Sequence, residues 1–234
     1  MYELTISAPG KNAMSLASME ALLRGLEEAA GQPVLLTGAG DAFCAGLNLK
    51  EVVALEARGM REFLACLDRL VERLFGYKGP VVAWVNGHAI AGGSVLALCC
   101  DHSVVSDDPS IRIGLSETAL GLPFPPKVLA MVRATVPSHA LDRVVLGAEL
   151  HAPREAALLG LVDEVAADAR SVAVARLEAL AAHPRAIYAY TKNMLRGSAL
   201  RLPPGAQSAF EADVEPLWTS PETKARIAAR LVRK

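Results

Sequence analysis

Twice in this chain an apolar run ends in a glycine-bearing turn and a second apolar stretch follows: VLLTGAGDAFCAGLNL from Val34 and VVAWVNGHAIAGGSVLAL from Val81. A strand feeding a helix through a short turn buries both elements only in a layered arrangement, with crossover helices covering a parallel-type sheet. The surrounding residues repeat that order. Tyr2–Ser7 alternates as a short strand and breaks at Ala8-Pro9-Gly10. Met19, Leu22, Leu23, Leu26 and Ala30 then follow helical spacing, with Ser15 as the cap. Phe63, Leu64, Leu67, Leu70, Val71 and Leu74 mark a second amphipathic helix, and HSVVS and SIRIG mark further strands. The turn-rich stretch from Gly38 to Gly46 reads as a loop.

Beyond Pro126 the texture is helical. Pro153 suits the first position of a helix, and Leu161–Val165 is the one later strand expected. Residues 171–234 read as helices broken at Pro184, at Pro203-Pro204-Gly205 and at Pro221. The expected organisation is an α/β core over 1–170 and a C-terminal helical region over 171–234.

Composition narrows the partners. With 52% hydrophobic and 21% charged residues, the chain can bury one sizeable core. A formal net charge of -1, with Lys and Arg dispersed, lacks the basic footprint of a nucleic-acid binder and favours a small or neutral partner. Cys44 and Cys66 lack metal-ligand spacing and Cys99 and Cys100 are adjacent, so all four read as thiols in a reducing compartment. No metal site is expected at His88 or His102. The N-terminal stretch lacks a secretory pattern, and no apolar run reaches the roughly 20 residues a bilayer requires. The expectation is a cytoplasmic protein that does not enter membranes.

Where a strand feeds a helix, the first helical N–H groups lack intrahelical partners and can face a ligand oxygen, and glycine lets that oxygen approach. Two such turns side by side would make an oxyanion hole. Glycines after strands also serve plain turns and close packing, and the turns alone do not separate these roles.

The runs AFCAGLNLKEV, NGHAIAGGSVLALCCDHSVVSDD and IGLSETALGLP, preceded by KNAMS and followed by LGAELHAPREAALLGLVDEV, resemble the crotonase, or enoyl-CoA hydratase/isomerase, superfamily. The resemblance extends along nearly the whole chain. It implies a core of repeated ββα units, a homotrimer or dimer of trimers, and an acyl-CoA thioester as substrate. It also implies two backbone donors to the thioester oxygen, the N–H groups of Leu47 and Gly92. Coenzyme A would enter as part of the substrate, with no separate cofactor.

Hydratases of this family carry two glutamates that hold and activate water. Here the first position is Val95 and the second Glu117. One carboxylate suffices to move a proton from C2 to C4 of a 3-enoyl thioester. CAGL, AGGSV, GLSETALG and the Pro123-Phe124 pair resemble the Δ3,Δ2-enoyl-CoA isomerase branch, in which Glu117 would be the proton shuttle. Leu115, Leu120 and Leu122 would raise its pKa. The resemblance further suggests Lys11, Ala13, Ala45, Asn48, Leu49 and Lys50 along the CoA moiety, and Val95 and Leu122 at the acyl group. Asp41 and Glu51 read as turn and helix-start residues, and Ser94 as core packing, since GGSVL lacks the second glycine of a nucleophile elbow. Rival readings are hydration with a displaced second acid, acyl-CoA decarboxylation, and CoA binding without turnover.

Overall fold

The computed structural model describes residues 1–232. Its elements in chain order begin with β1 (Tyr2–Ile6), α1 (Leu16–Ala29), β2 (Val34–Gly38), β3 (Ala42–Cys44), α2 (Leu49–Ala54) and α3 (Ala57–Phe75). There follow β4 (Val81–Val85), β5 (His88–Ile90), α4 (Gly92–Cys99), β6 (His102–Ser106), β7 (Ile113–Gly114) and α5 (Glu117–Leu120). The last group is α6 (Pro126–Thr135), α7 (Ser138–Gly147), α8 (Pro153–Leu158), β8 (Glu164–Ala166), α9 (Ala169–Ala181), α10 (Arg185–Arg196) and α11 (Pro221–Val232), with short helical turns through 206–219.

β1, β2, β4, β6 and β8 form one parallel sheet in that order, and β3, β5 and β7 form a second, smaller parallel sheet. Each ββα unit gives its first strand to the large sheet and its second to the small one before the helix begins. β2 is buried at all five positions, as a continuous apolar run in a parallel sheet covered on both faces should be. Leu36 joins the main core with α1 and α3, while Leu35, Val82 and Val104 face Ala169, Ala173 and Leu177 of α9 on the other side. α4 is buried along all eight residues, which explains why its sequence is apolar on every face. Among the described residues no helix is long and apolar enough to cross a membrane.

Several expectations shift. The stretch expected as a loop after Gly38 contains β3, and His88 opens β5. These strands are three residues long, too short to show alternation, and exist because they pair with each other. SIRIG contributes only Ile113–Gly114, and the late strand is displaced to Glu164–Ala166. The boundary expected at 170 falls inside the first turn of α9, which closes the second face of the large sheet, and Phe210, Trp218 and Ile227 beyond it belong to the main core.

Candidate active site

The two glycine turns pack against each other. A Cβ on Gly93 would stand 2.1 Å from the Cys44 carbonyl oxygen, and one on Gly92 would stand 2.6 Å from Met14 Cε and 3.7 Å from Gly46 Cα. Bare backbone is therefore needed for close packing of the turns, with Gly46 also in the left-handed region at φ 89°. Asn86 ties the preceding strand ends together: its Nδ2 donates to Gly38 O and Gly40 O, both at 2.9 Å, and its Oδ1 accepts from the Gly38 N–H at 3.0 Å.

The chain on either side of Leu47 is pinned to Met14, whose N–H donates to Gly46 O at 2.7 Å and whose carbonyl accepts from the Asn48 N–H at 2.8 Å. Between them, the Leu47 N–H meets no acceptor among the described residues. The Gly92 N–H opens α4 and is equally without one. It follows Ala91, held at φ 52° and ψ -120°, a costly conformation for a residue with a Cβ and one often found at functional sites.

Glu117 opens the short helix α5. Its carbonyl accepts from the Leu122 N–H at 3.0 Å, and the next residue, Thr118, donates through Oγ1 to Val145 O at 2.9 Å, fastening α5 to α7. The Glu117 side chain is 8% exposed and its Oε2 is buried without a hydrogen-bond partner. Burial pushes its pKa up to about 7, opposed only in part by a bond from its own backbone.

Glu117 shares a cavity of about 470 Å³ with Ala45, Leu47, Leu49, Ala91 and Leu122. Among the described residues that line it, Glu117 is the one carboxylate. A mostly apolar chamber holding a single carboxylate beside two adjacent turns with free N–H groups suits proton transfer next to a carbonyl that gains negative charge.

The first 224 residues match the family model described as enoyl-CoA hydratase/isomerase. The chain belongs to the enoyl-CoA hydratase/isomerase family. It is 35% identical over 173 residues to a Thermus thermophilus protein named as an enoyl-CoA hydratase, covering 71% of this chain and 67% of that one. It is 34% identical over 169 residues to mouse mitochondrial enoyl-CoA delta isomerase 1, covering 70% of this chain and 57% of the mouse one, under two thirds of that relative's length. The crystal structure of human mitochondrial delta3-delta2-enoyl-CoA isomerase superposes with a TM-score of 0.90 at 26% identity, covering 99% of this chain and 92% of that one.

In this enoyl-CoA hydratase/isomerase chain the other expected residues divide. Gly92 itself does not line the cavity, although its neighbours Ile90 and Ala91 do. Val95, expected at the acyl group, is instead a core residue of α4, 1% exposed and away from the cavity wall. The Asn48 side chain caps α2 by accepting from the Lys50 and Glu51 N–H groups, and Lys50 is exposed away from the cavity. Lys11 pairs with Asp41 on the surface, holding that carboxyl below its usual range, and Ala13 stands outside the cavity with it. Glu51 accepts from the Leu16 N–H at 3.1 Å, bridging α2 to α1.

Arg226, Ala229 and Arg230 of α11 line the cavity and were not anticipated, because nothing local to that amphipathic helix says which site it covers. Leu150 and Ala148 arrive from the turn after α7 for the same reason. Burial pushes the Cys44 and Cys99 thiols up to about 12 and the Cys100 thiol upward, so these cysteines are not reactive nucleophiles.

Proposed function

We propose that this chain is a Δ3,Δ2-enoyl-CoA isomerase. The observation that supports it is the single buried carboxylate, Glu117, in a mostly apolar cavity beside two turns with unpaired N–H groups. The Glu117 carboxylate takes a proton from C2 of a 3-enoyl thioester. The C–H electron pair forms a dienolate whose charge rests on the thioester oxygen, between the Leu47 and Gly92 N–H groups. The carboxylic acid then returns the proton at C4, leaving the double bond between C2 and C3 with no atom gained or lost. Fixed donors of this kind contribute on the order of 3 to 4 kcal/mol each where measured by removal. A pKa near 7 suits a group that must accept and release a proton in one turnover.

Addition of water would call on a second carboxylate to orient it, and Val95 in the core of α4 cannot serve. Coenzyme A enters in this reading as part of the substrate, and the proton shuttle draws on no other cofactor. The exposed apolar face of α10, with Ile187, Tyr190, Met194 and Leu195, supports assembly into an oligomer, in this reading a homotrimer or a dimer of trimers.

The test is a spectrophotometric assay with 3-hexenoyl-CoA, then with 2-hexenoyl-CoA. Conversion of the first without hydration of the second is expected, together with a loss of at least about 10³-fold in kcat for Glu117→Gln. Hydration of the second substrate would establish a hydratase. Turnover of 3-hexenoyl-CoA surviving Glu117→Gln would assign the proton transfer to a group other than Glu117.

A further inference from the structure

We propose that Ser94 is a positioning residue for this reaction, its buried hydroxyl clamping the strand that leads to Glu117 against the strand that leads to Gly92. The inference rests on the isomerase reading above. Ser94 lies in α4 with 0% exposure. Its Oγ donates to the Ala89 carbonyl at 2.6 Å and accepts from the Gly114 N–H at 3.0 Å. The Gly114 carbonyl, 3.2 Å from the same hydroxyl, accepts the Ala91 N–H at 2.7 Å. One side chain thus joins the backbone of β5, β7 and α4 at the place where all three converge.

The two strands need such a brace. β5 and β7 pair only through Ala89 with Ile113 and Ile90 with Gly114. Ala89 is three residues before Gly92, and Gly114 is three residues before Glu117. A small rotation at this short ladder is carried outward to both the oxyanion donor and the base. Proton transfer beside a held oxyanion tolerates little change in that separation, and a misplacement of about 1 Å can cost about 10²-fold in rate. Filling space does not require a hydroxyl here, since alanine has almost the same volume and an unbonded buried hydroxyl is a cost.

The test measures kcat, KM and melting temperature for Ser94→Ala, Ser94→Cys, Leu96→Ala and Glu117→Gln with 3-hexenoyl-CoA. Leu96 is a fully buried neighbour on α4 that makes none of these bonds, so its truncation reports lost packing alone. Ser94→Ala is expected to lower kcat by about 10- to 100-fold with KM within about threefold. Ser94→Cys, a weaker donor, should fall between alanine and the wild type. Leu96→Ala should melt lower than Ser94→Ala yet keep kcat within about threefold. The proposal is overturned by a Ser94→Ala kcat within about twofold of wild type, or by losses that only follow melting temperature as in Leu96→Ala. Should Ser94→Ala fail to fold, Ser94→Cys decides on the same criterion: a lowered kcat at constant KM supports the brace, and an unchanged kcat overturns it. An inert wild type overturns the isomerase reading and the brace together, and an active Glu117→Gln overturns Glu117 as the base and with it the brace. An active wild type with a dead Glu117→Gln leaves the Ser94 variants to judge Ser94 alone.

Discussion

A carboxyl group set in an apolar wall holds its proton more tightly than one in water, and the Glu117 pKa near 7 has consequences for both rate and stability. The base must start ionised, so kcat/KM for 3-hexenoyl-CoA should rise with pH and level off above about 7; a profile already flat at pH 5 would oppose the role. For stability, the folded state binds more protons than the unfolded state between the ordinary carboxyl pKa and 7. Stability contributed by protonated Glu117 is therefore lost as pH rises through that window. The penalty at pH 8 is on the order of 3 kcal/mol. Glu117→Gln should melt several degrees above the wild type at pH 8 and close to it at pH 4, as followed by circular dichroism. Asp68, half-buried and pushed up to about 6 by desolvation, adds a slope of the same sign in both proteins and cancels in the comparison. Glu117 was legible in the sequence through its motif and its apolar neighbours, whereas its unpaired Oε2 and the α11 residues beside it in the cavity were not, because they depend on segments distant in the chain.

Short elements carry the site, and neighbouring elements hold them. The Asn48 cap starts α2 one residue after Leu47, so Asn48→Ala should cost about 1 kcal/mol by urea denaturation, with Asn48→Asp restoring most of it. α10 is anchored through a buried cluster: Lys192 Nζ lies 2.8 Å from Asp101 Oδ2 and Arg196 Nη1 3.1 Å from Asp101 Oδ1, while Asp101 Oδ2 also accepts the Val81 N–H at 2.8 Å. Desolvation lowers the Lys192 pKa and Asp101 opposes that shift. Asp101→Asn leaves two cations short of their partner and should destabilise by about 3 to 5 kcal/mol, measured by the same denaturation. The long helices α1 and α3 were legible because their apolar spacing repeats over several turns. β3 and β5 were not, and β7 was legible only as part of the longer SIRIG, since strands of two or three residues take their form from pairing partners distant in sequence.

For the whole molecule, the large sheet has two faces to cover, and the chain completes the second only after residue 170. A truncation to 1–170 would bare Leu35, Val82 and Val104, and is expected to be recovered only as aggregate on size-exclusion chromatography. The proposed assembly predicts a light-scattering mass of about three times the 24.7 kDa chain, or six times for a dimer of trimers, and Leu195→Glu, at a residue 76% exposed, should lower it toward one chain.

Local order determined much by itself: apolar runs of five residues make strands, helical spacing makes helices, and two glycine-bearing turns follow strands wherever the chain is read. Family resemblance in those turns and in GLSETALG points to Leu47, Gly92 and Glu117 from the sequence alone. Tertiary structure decided which turns touch, which carboxylate loses its water, and which distant helix supplies Arg226 and Arg230 to the cavity. The physical reason is that turn and helix propensities act over a few residues, whereas burial and proximity are set by packing between segments far apart in the chain, from Cys44 against Gly93 to Glu117 beside Arg226.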